Sequence, residues 1–460
     1  MPQTRSFDHR VVALVMMVSC LALPCQILAQ SFDHSVIRDR IDTMVQQAME
    51  RDRVVGTSIG VMYKGELLVA KGYGYANLED EAKATEHTVY RLGSITKQFT
   101  ALAIMQLVER DKLKLDDDLT KLLPDYPTRG HTISIDRLLN HTSGIKGYTE
   151  IAKFEKLSRL DLSHQELIDL FSAEPFEFVP GERFQYSNSA YYLLGVIIEK
   201  VSGMSYPEFL QRNVWDPLGM RETFYLENAR IVKNRAEGYE VRDGKVVNDD
   251  LLSMANPFSA GSLGSSVVDL FKWQAALTKH RLIRKPSYEK MITAGVLNGG
   301  RSITYGYGFF LSNLDGHRKI EHEGSINGFC TQLSHYPDDD LTVIVLCNTG
   351  SARPEPLESR IARVVLGIPE IVVKEVPLSE KELQVYEGTY NSGWGPLTFV
   401  LKDGALQLSG RRFLPIGNHE FVGDDDPYSI VSFTVRDGKA IQVRHAREGQ
   451  VTEAPRAAIP

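Results

Sequence analysis

Ser94 stands directly before an amphipathic run, with Lys97 three residues behind it, in "RLGSITKQFTALAIMQLVER" (residues 91–110). Apolar residues at Phe99, Leu102, Ala103, Leu107 and Val108 predict a helix that opens near Ile95, with Ser94 at its cap. Three residues is close to one helical turn, so the Lys97 amine lies on the same side as the Ser94 hydroxyl. A neutral hydroxyl is a weak nucleophile and needs a proton acceptor within ~3 Å. An amine serves once burial has lowered its pKa, and the chemistry of such a pair is acyl transfer through a serine ester. Spacing alone is weak evidence, because Ser-x-x-Lys recurs twice. Ser143 to Lys146 is interrupted by Gly144, with Gly147 following, whereas Ser287 to Lys290 suits a helix cap.

Two further stretches supply groups that this chemistry needs. "FQYSNSAYY" offers Tyr186, Ser187 and Asn188 just ahead of an apolar helix, and "KIEHEGSINGF" offers His322, Glu323 and Gly324 in strand-like sequence. A phenol can donate or accept a proton, and a carboxamide can hold an amine and a carbonyl at once. Each stretch also has a purely structural reading: Tyr186 as a core residue with a satisfied hydroxyl, Asn188 as a helix cap. Tyr-x-Asn recurs at Tyr75 to Asn77, and Lys-x-Gly at Lys402 to Gly404, where it is a hairpin turn.

Taken in this order and context, the three motifs resemble those of the serine β-lactamase and penicillin-binding-protein family, in particular its class C β-lactamase, DD-carboxypeptidase and esterase branch. The resemblance spans roughly residues 36–366 and includes the phrases "LLNHTSGI", "PGERFQYSN" and "GYGFF". It sets Ser287 aside, because that serine follows Tyr186 instead of preceding it. It implies that Ser94 is the nucleophile, that Lys97 and Tyr186 carry protons, and that Asn188 holds Lys97 and the substrate. It also implies an oxyanion hole from the Ser94 N–H at the helix N-terminus and the Ser325 N–H beside Gly324, with His322 next to Tyr186. The activity implied is that of a serine hydrolase working through an acyl-enzyme on a small ester, amide or short peptide of D-amino-acid type. β-Lactamase or D-alanyl-D-alanine carboxypeptidase activity is the alternative, and a non-catalytic penicillin-binding-like sensor is the alternative of another class.

The third motif departs from the family's commonest form, Lys, then Thr or Ser, then Gly. Where a hydroxyl would donate to a substrate carboxylate, Glu323 is a negative acceptor. Pointing into the cleft, it repels carboxylate-bearing substrates and favours neutral esters, amides or free amines; turned to solvent, it does neither. His322, with an unperturbed pKa of ~6.5, predicts a step in acylation rate between about pH 5 and 8.

The elements that must position these groups follow from the periodicity. Helical spacing at Ile37, Ile41, Met44, Val45 and Ala48 precedes the hairpin "TSIGVMYKGELLVAKGYGYA", which turns near Lys64 and Gly65. The chain is mainly helical from Ser94 to about Leu218, strands return at 303–348, and "RPEPLESRIARVVLG" closes the region as a helix. Strands from both ends thus bracket a helical middle. The expected class is α+β: a β-lactamase-like antiparallel sheet flanked by helices, with a helical subdomain, over residues 30–367. A proline-punctuated linker, 368–380, leads to a small all-β domain, 381–448, with hairpins around Asp403-Gly404 and Asp437-Gly438, and a frayed tail, 449–460.

Arg5 and Arg10 precede a thirteen-residue apolar run, Val11 to Leu23, that ends at Pro24. It falls short of the roughly 20 residues needed to span a bilayer and reads as an export signal, residues 1–29, cut near Ala29. An uncleaved anchor is the alternative, and a lipid on Cys20 or Cys25 a weaker one. Export makes a disulfide between Cys330 and Cys347 permissible. Pairing Tyr336 with Leu341 sets the two opposite one another, and two buried free thiols are the equal alternative. Net charge is −7 over 460 residues, 43% of them hydrophobic, and Lys or Arg never run longer than two, which disfavours nucleic acid as a partner. No HExxH or Cys/His ligand spacing and no phosphate-cradling glycine loop is present, so neither a metal nor another cofactor is expected. The expected partner is a small-molecule or short-peptide substrate, met in the periplasm or outside the cell.

Overall fold

The computed structural model describes residues 34–457 except 370–372, 393–394, 425 and 448–449. The export signal expected over residues 1–29 lies outside the described residues. Among those described, seven strands form the main sheet. They are β1 (Gly56–Tyr63), β2 (Glu66–Asn77), β3 (Ala82–Lys83), β4 (Phe310–Leu314), β5 (His317–Ile326), β6 (Phe329–Tyr336) and β7 (Leu341–Cys347), in the order β3-β2-β1-β7-β6-β5-β4. The two ends of the region meet in the middle of this sheet, where β1 runs antiparallel to β7 from Thr57 opposite Cys347 to Tyr63 opposite Leu341.

Helix α1 (His34–Asp52) packs on one face of the sheet together with α6 (Pro354–Leu366). On the other face lie α2 (Thr96–Glu109), α3 (Asn188–Ser202), the single turn α4 (Phe258–Gly261) and α5 (Val267–Thr278). Strand β7 shows why the sheet must be covered twice. Val343, Val345 and Cys347 join the cluster under α1 and α6, while Ile344 and Leu346 join the one under the helical subdomain. A strand alternates sides residue by residue, so an unbroken apolar run demands two covered faces. This is the expected α+β arrangement, with one difference. Helix α2 is buried from Thr96 to Leu107 and not along a single stripe. Its polar residues are satisfied inside: Thr100 bonds the Tyr206 hydroxyl at 2.7 Å and the Ser259 carbonyl at 2.7 Å, and Phe99 stacks on Trp273 at 3.9 Å between ring centroids. A helix buried all round serves as a rigid central post.

The C-terminal region is a barrel of eight strands, each paired to the next along the chain, from β8 (Gly388–Ser392) to β15 (Gln450–Pro455). Tyr390 pairs with Arg456, and the Ala457 N–H reaches the Thr389 carbonyl at 2.8 Å, so the last strand returns to the first. Tyr390, Phe399, Phe413, Phe421 and Phe433 fill the inside. The tail expected from residue 449 is therefore a strand as far as Pro455. Its residues alternate poorly, and backbone pairing on both sides holds it, a term that hydropathy does not report. The barrel docks against α6, where the buried Arg363 guanidinium lies 3.3 Å from the centroid of the Tyr428 ring and pairs with Asp315 at 2.6 Å. Among the described residues no helix is long and apolar enough to cross a membrane.

Candidate active site

Ser94 lies within a 3-10 turn, Gly93–Ile95, that runs straight into α2. It does not cap the helix as expected. The backbone is already helical at Ile95, no side chain caps α2, and the serine hydroxyl is left for other partners. Lys97 Nζ donates to Ser94 Oγ at 3.0 Å, to Asn188 Oδ1 at 2.8 Å and to the Ala260 carbonyl of α4 at 2.9 Å. The amine is fully buried, and that desolvation holds its pKa well below the ordinary lysine value, while the Glu323 carboxylate pulls the other way. An amine that has lost its proton keeps two N–H groups, which Asn188 and Ala260 can accept, and its lone pair is then left facing the serine.

Asn188 opens α3 but does not cap it. Ser187 takes that task, its hydroxyl accepting from the Ala190 N–H, so the Asn188 amide is free to accept from Lys97 and to donate to Thr149 Oγ1 at 3.1 Å. The Tyr186 phenol lies close to Ser94, and Lys97 Nζ lies 4.7 Å from the centre of its ring. Burial raises the phenol pKa well above its usual value, against a smaller lowering influence of the Ser94 hydroxyl and with the Glu323 charge adding to the rise, so Tyr186 is protonated at neutral pH.

Strand β5 brings the third motif alongside. Gly324 is required by close approach: a Cβ there would sit 1.9 Å from the Leu92 carbonyl oxygen and 2.4 Å from Thr331 Oγ1. Gly93, at φ +54°, meets the same strand from the other side, and its absent Cβ would lie 3.0 Å from the Ser325 nitrogen. The serine turn thereby lies directly against the Ser325 backbone, and Ser94 and Ser325 line the same cleft. Gly93, Ser94, Asn188 and Ser325 border an open cleft of about 840 Å³, whose walls include Tyr148, Leu252, Pro257 and Ala260 and whose rim carries the Arg159–Asp250 ion pair at 2.9 Å.

Alternation along β5 separates His322 from Glu323. His322 faces inward and is fully buried, with Nε2 2.9 Å from the Tyr305 hydroxyl and Nδ1 2.6 Å from the Glu323 carbonyl oxygen. Burial and the nearby Lys97 charge push its pKa down to about 3, so it stays neutral between pH 5 and 8. The expected rate step in that window has no basis in His322, nor does the imidazole line the cleft. Glu323 is exposed on the opposite side of the strand, and its charge acts on Lys97, Tyr186 and Tyr305.

The competing pair is elsewhere: Ser287 donates to Glu109, and Lys290 faces Asp136 at 3.9 Å. Cys330 and Cys347 stand opposite each other in register, as two buried free thiols. Three participants were not anticipated. The Ala260 carbonyl is backbone and has no side-chain signature, while Tyr305 and His141 lie in or beside the phrases "GYGFF" and "LLNHTSGI", which gave them no individual role.

The Beta-lactamase family model matches residues 41–366. Among curated proteins, the chain is similar to penicillin-binding protein 4* of Bacillus subtilis (strain 168), with 30% identity over 385 residues covering 80% of this chain and 84% of that protein. Among solved structures, it is similar to the octameric penicillin-binding protein homologue from Pyrococcus abyssi, at 28% identity and a TM-score of 0.67, covering 91% of this chain and 99% of that one. It shares a fold with the D-amino acid amidase from Ochrobactrum anthropi SV3, solved with D-phenylalanine, at 22% identity and a TM-score of 0.64, covering 73% of this chain and 100% of that one.

Proposed function

The chain belongs to the β-lactamase family and is a serine hydrolase; from that premise we propose that it is exported and works through an acyl-enzyme on small amides, esters or short peptides of D-amino-acid type, preferring those with a free amine. One observation carries the reading: a fully buried Lys97 amine, its pKa lowered, hydrogen-bonded to Ser94 Oγ.

In this reading neutral Lys97 takes the Ser94 proton as Oγ attacks the substrate carbonyl carbon. The Ser94 and Ser325 N–H groups hold the oxyanion, and Asn188 steadies Lys97 and the substrate amide. Tyr186 passes a proton to the leaving amine or alkoxide as its bond to carbon breaks, and later accepts one from the water that hydrolyses the ester, while Lys97 returns its proton to Ser94 Oγ as the acyl–oxygen bond breaks. Glu323 supports the substrate preference, because an exposed carboxylate whose charge acts on Lys97 and Tyr186 attracts an ammonium and repels a carboxylate bound beside them. The D-amino acid amidase that shares this fold fits the same preference. The pattern of residues 1–29 supports export to the periplasm or beyond.

The similarity to penicillin-binding protein 4* favours a second reading, in which β-lactams or D-alanyl-D-alanine peptides acylate Ser94 despite Glu323. A fluorophosphonate probe and a fluorescent penicillin, applied to wild type and Ser94→Ala, test the nucleophile. Labelling that Ser94→Ala leaves undiminished would overturn it, and no labelling by either probe would point to a non-catalytic sensor. Rates on D-amino-acid amides, nitrophenyl esters and a chromogenic cephalosporin then separate the two substrate classes.

A further inference from the structure

We propose that His141 is a positioning residue for Tyr186, clamping the backbone on both sides of that tyrosine. The inference rests on the reading in which Tyr186 carries protons, and adds to it the device that fixes where the phenol stands.

His141 follows the short helix Ile135–Leu139 and adopts a left-handed backbone, φ +59°. Its carbonyl accepts the Gln185 N–H at 3.0 Å, and its ring Nδ1 accepts the Ser187 N–H at 3.1 Å. Residues 185 and 187 are the two neighbours of Tyr186, so one histidine holds the peptide before the catalytic phenol and the peptide after it. The two rings also pack, with centroids 4.2 Å apart and planes inclined by 35°. The adjoining loop is stitched to the same segment, where the Gly181 N–H reaches the Thr142 carbonyl at 2.7 Å.

The chemistry requires this imidazole to be neutral. A ring nitrogen that accepts from a backbone N–H carries no proton, which leaves the single proton on Nε2. His141 is fully buried among Phe184, Tyr186, Tyr191 and Tyr305, and burial with the Lys97 and His322 charges holds its pKa well below the usual histidine value. Among the described residues Nε2 meets no hydrogen-bond acceptor, so its use is not a relay to another polar group. The working atom is the Nδ1 lone pair. Asparagine offers an acceptor at a similar distance from the backbone and tolerates the left-handed conformation. Glutamine carries its acceptor one methylene further out.

The test uses the full chain with p-nitrophenyl acetate as substrate and a fluorophosphonate as label. His141→Gln should lower kcat about 100-fold with KM changed less than about threefold, the cost of a displaced proton carrier and not of lost binding. His141→Asn should recover kcat to within about fivefold of wild type. Equal kcat in the Asn and Gln variants, or a loss confined to KM, overturns the proposal. If melting curves show that the Gln variant has not folded, His141→Gly, which suits the left-handed backbone and lacks the acceptor, takes its place with the same expected loss. Ser94→Ala, run in parallel, must abolish labelling. If it does not, the catalytic reading itself fails, whatever the His141 variants do.

Discussion

Lys97 Nζ lies 3.0 Å from Ser94 Oγ at the foot of the cleft, and no part of the lysine is exposed. A buried ammonium is expensive, and here the cost falls on the charged form, which tilts the amine towards the neutral base that acylation needs. Lys97→Met keeps most of the volume and removes the base. Fluorophosphonate labelling of Ser94 should slow by about 10²- to 10⁴-fold in this variant. Stability should move by no more than about 2 kcal/mol, because relief from burying a cation offsets leaving the Ala260 carbonyl without its donor. Labelling at the wild-type rate would remove Lys97 from the mechanism.

Glu323 raises the Lys97 pKa against the larger, opposite effect of burial. Glu323→Gln removes that opposition, so the Lys97 pKa falls further and more of the amine is neutral at any acid pH. The acid limb of kcat/KM should therefore move to lower pH. His322 stays neutral above about pH 3 and should add no step of its own between pH 5 and 8. The same variant should improve kcat/KM for carboxylate-bearing substrates relative to amine-bearing ones by at least about tenfold. A limb that stays put or moves to higher pH would show that Glu323 does not act on Lys97.

The groups that the structure brings together at the candidate site were legible where the signal is short-range. Ser94 and Lys97 are one helical turn apart, and Tyr186 with Asn188 stands at a helix start. His322 stands beside Tyr186 as expected, with ring centroids 6.2 Å apart, but its full burial, which removes the expected pH step, depends on which face of β5 meets the core. The alternation of Ile320, His322 and Gly324 against Glu321, Glu323 and Ser325 groups the imidazole with an apolar residue, but the sequence does not say which group faces the cleft. Burial of the polar residues of α2 was hidden for a similar reason, since Thr96, Thr100 and Gln106 mimic a solvent face until Tyr206, Ser259 and Leu282 are packed against it. The final barrel strand is held by pairing with partners on either side, which no local pattern encodes.

Cys330 and Cys347 face each other across β6 and β7, yet each thiol has its own partner: Thr57 Oγ1 lies 3.2 Å from Cys347 Sγ, and Cys330 Sγ donates to the Gly350 carbonyl at 3.4 Å. Burial pushes the Cys347 thiol up to about 12 and raises that of Cys330 as well, so neither forms a reactive thiolate at neutral pH. Iodoacetamide should leave both unmodified in the folded protein and alkylate both after unfolding without reductant, as read by peptide mass. Failure to alkylate either in the unfolded chain would mean that the pair is oxidised.

Lys319 bridges two carboxylates inside the domain, with Nζ 2.8 Å from Glu321 Oε2 and 2.7 Å from Glu358 Oε2. Ser312 and Gln332 donate to Glu321 at 2.6 Å each, and Tyr336 donates to Glu358 at 2.9 Å, so the cluster ties β4, β5 and β6 to α6. One cation holds two buried anions, and its removal leaves like charges facing each other in a medium that screens them poorly. Lys319→Met should cost about 3–5 kcal/mol, measured as a lowered urea midpoint. Adding Glu321→Gln and Glu358→Gln to that variant should recover most of the loss, because neutral groups of similar shape carry no desolvation debt and the surrounding donors keep an acceptor. If the triple variant were no more stable than Lys319→Met, the cluster would hold α6 to the sheet through geometry specific to its charges. The strand that carries Glu323 and brings Ser325 to the cleft would then depend on a buried ion network further along the same face of β5.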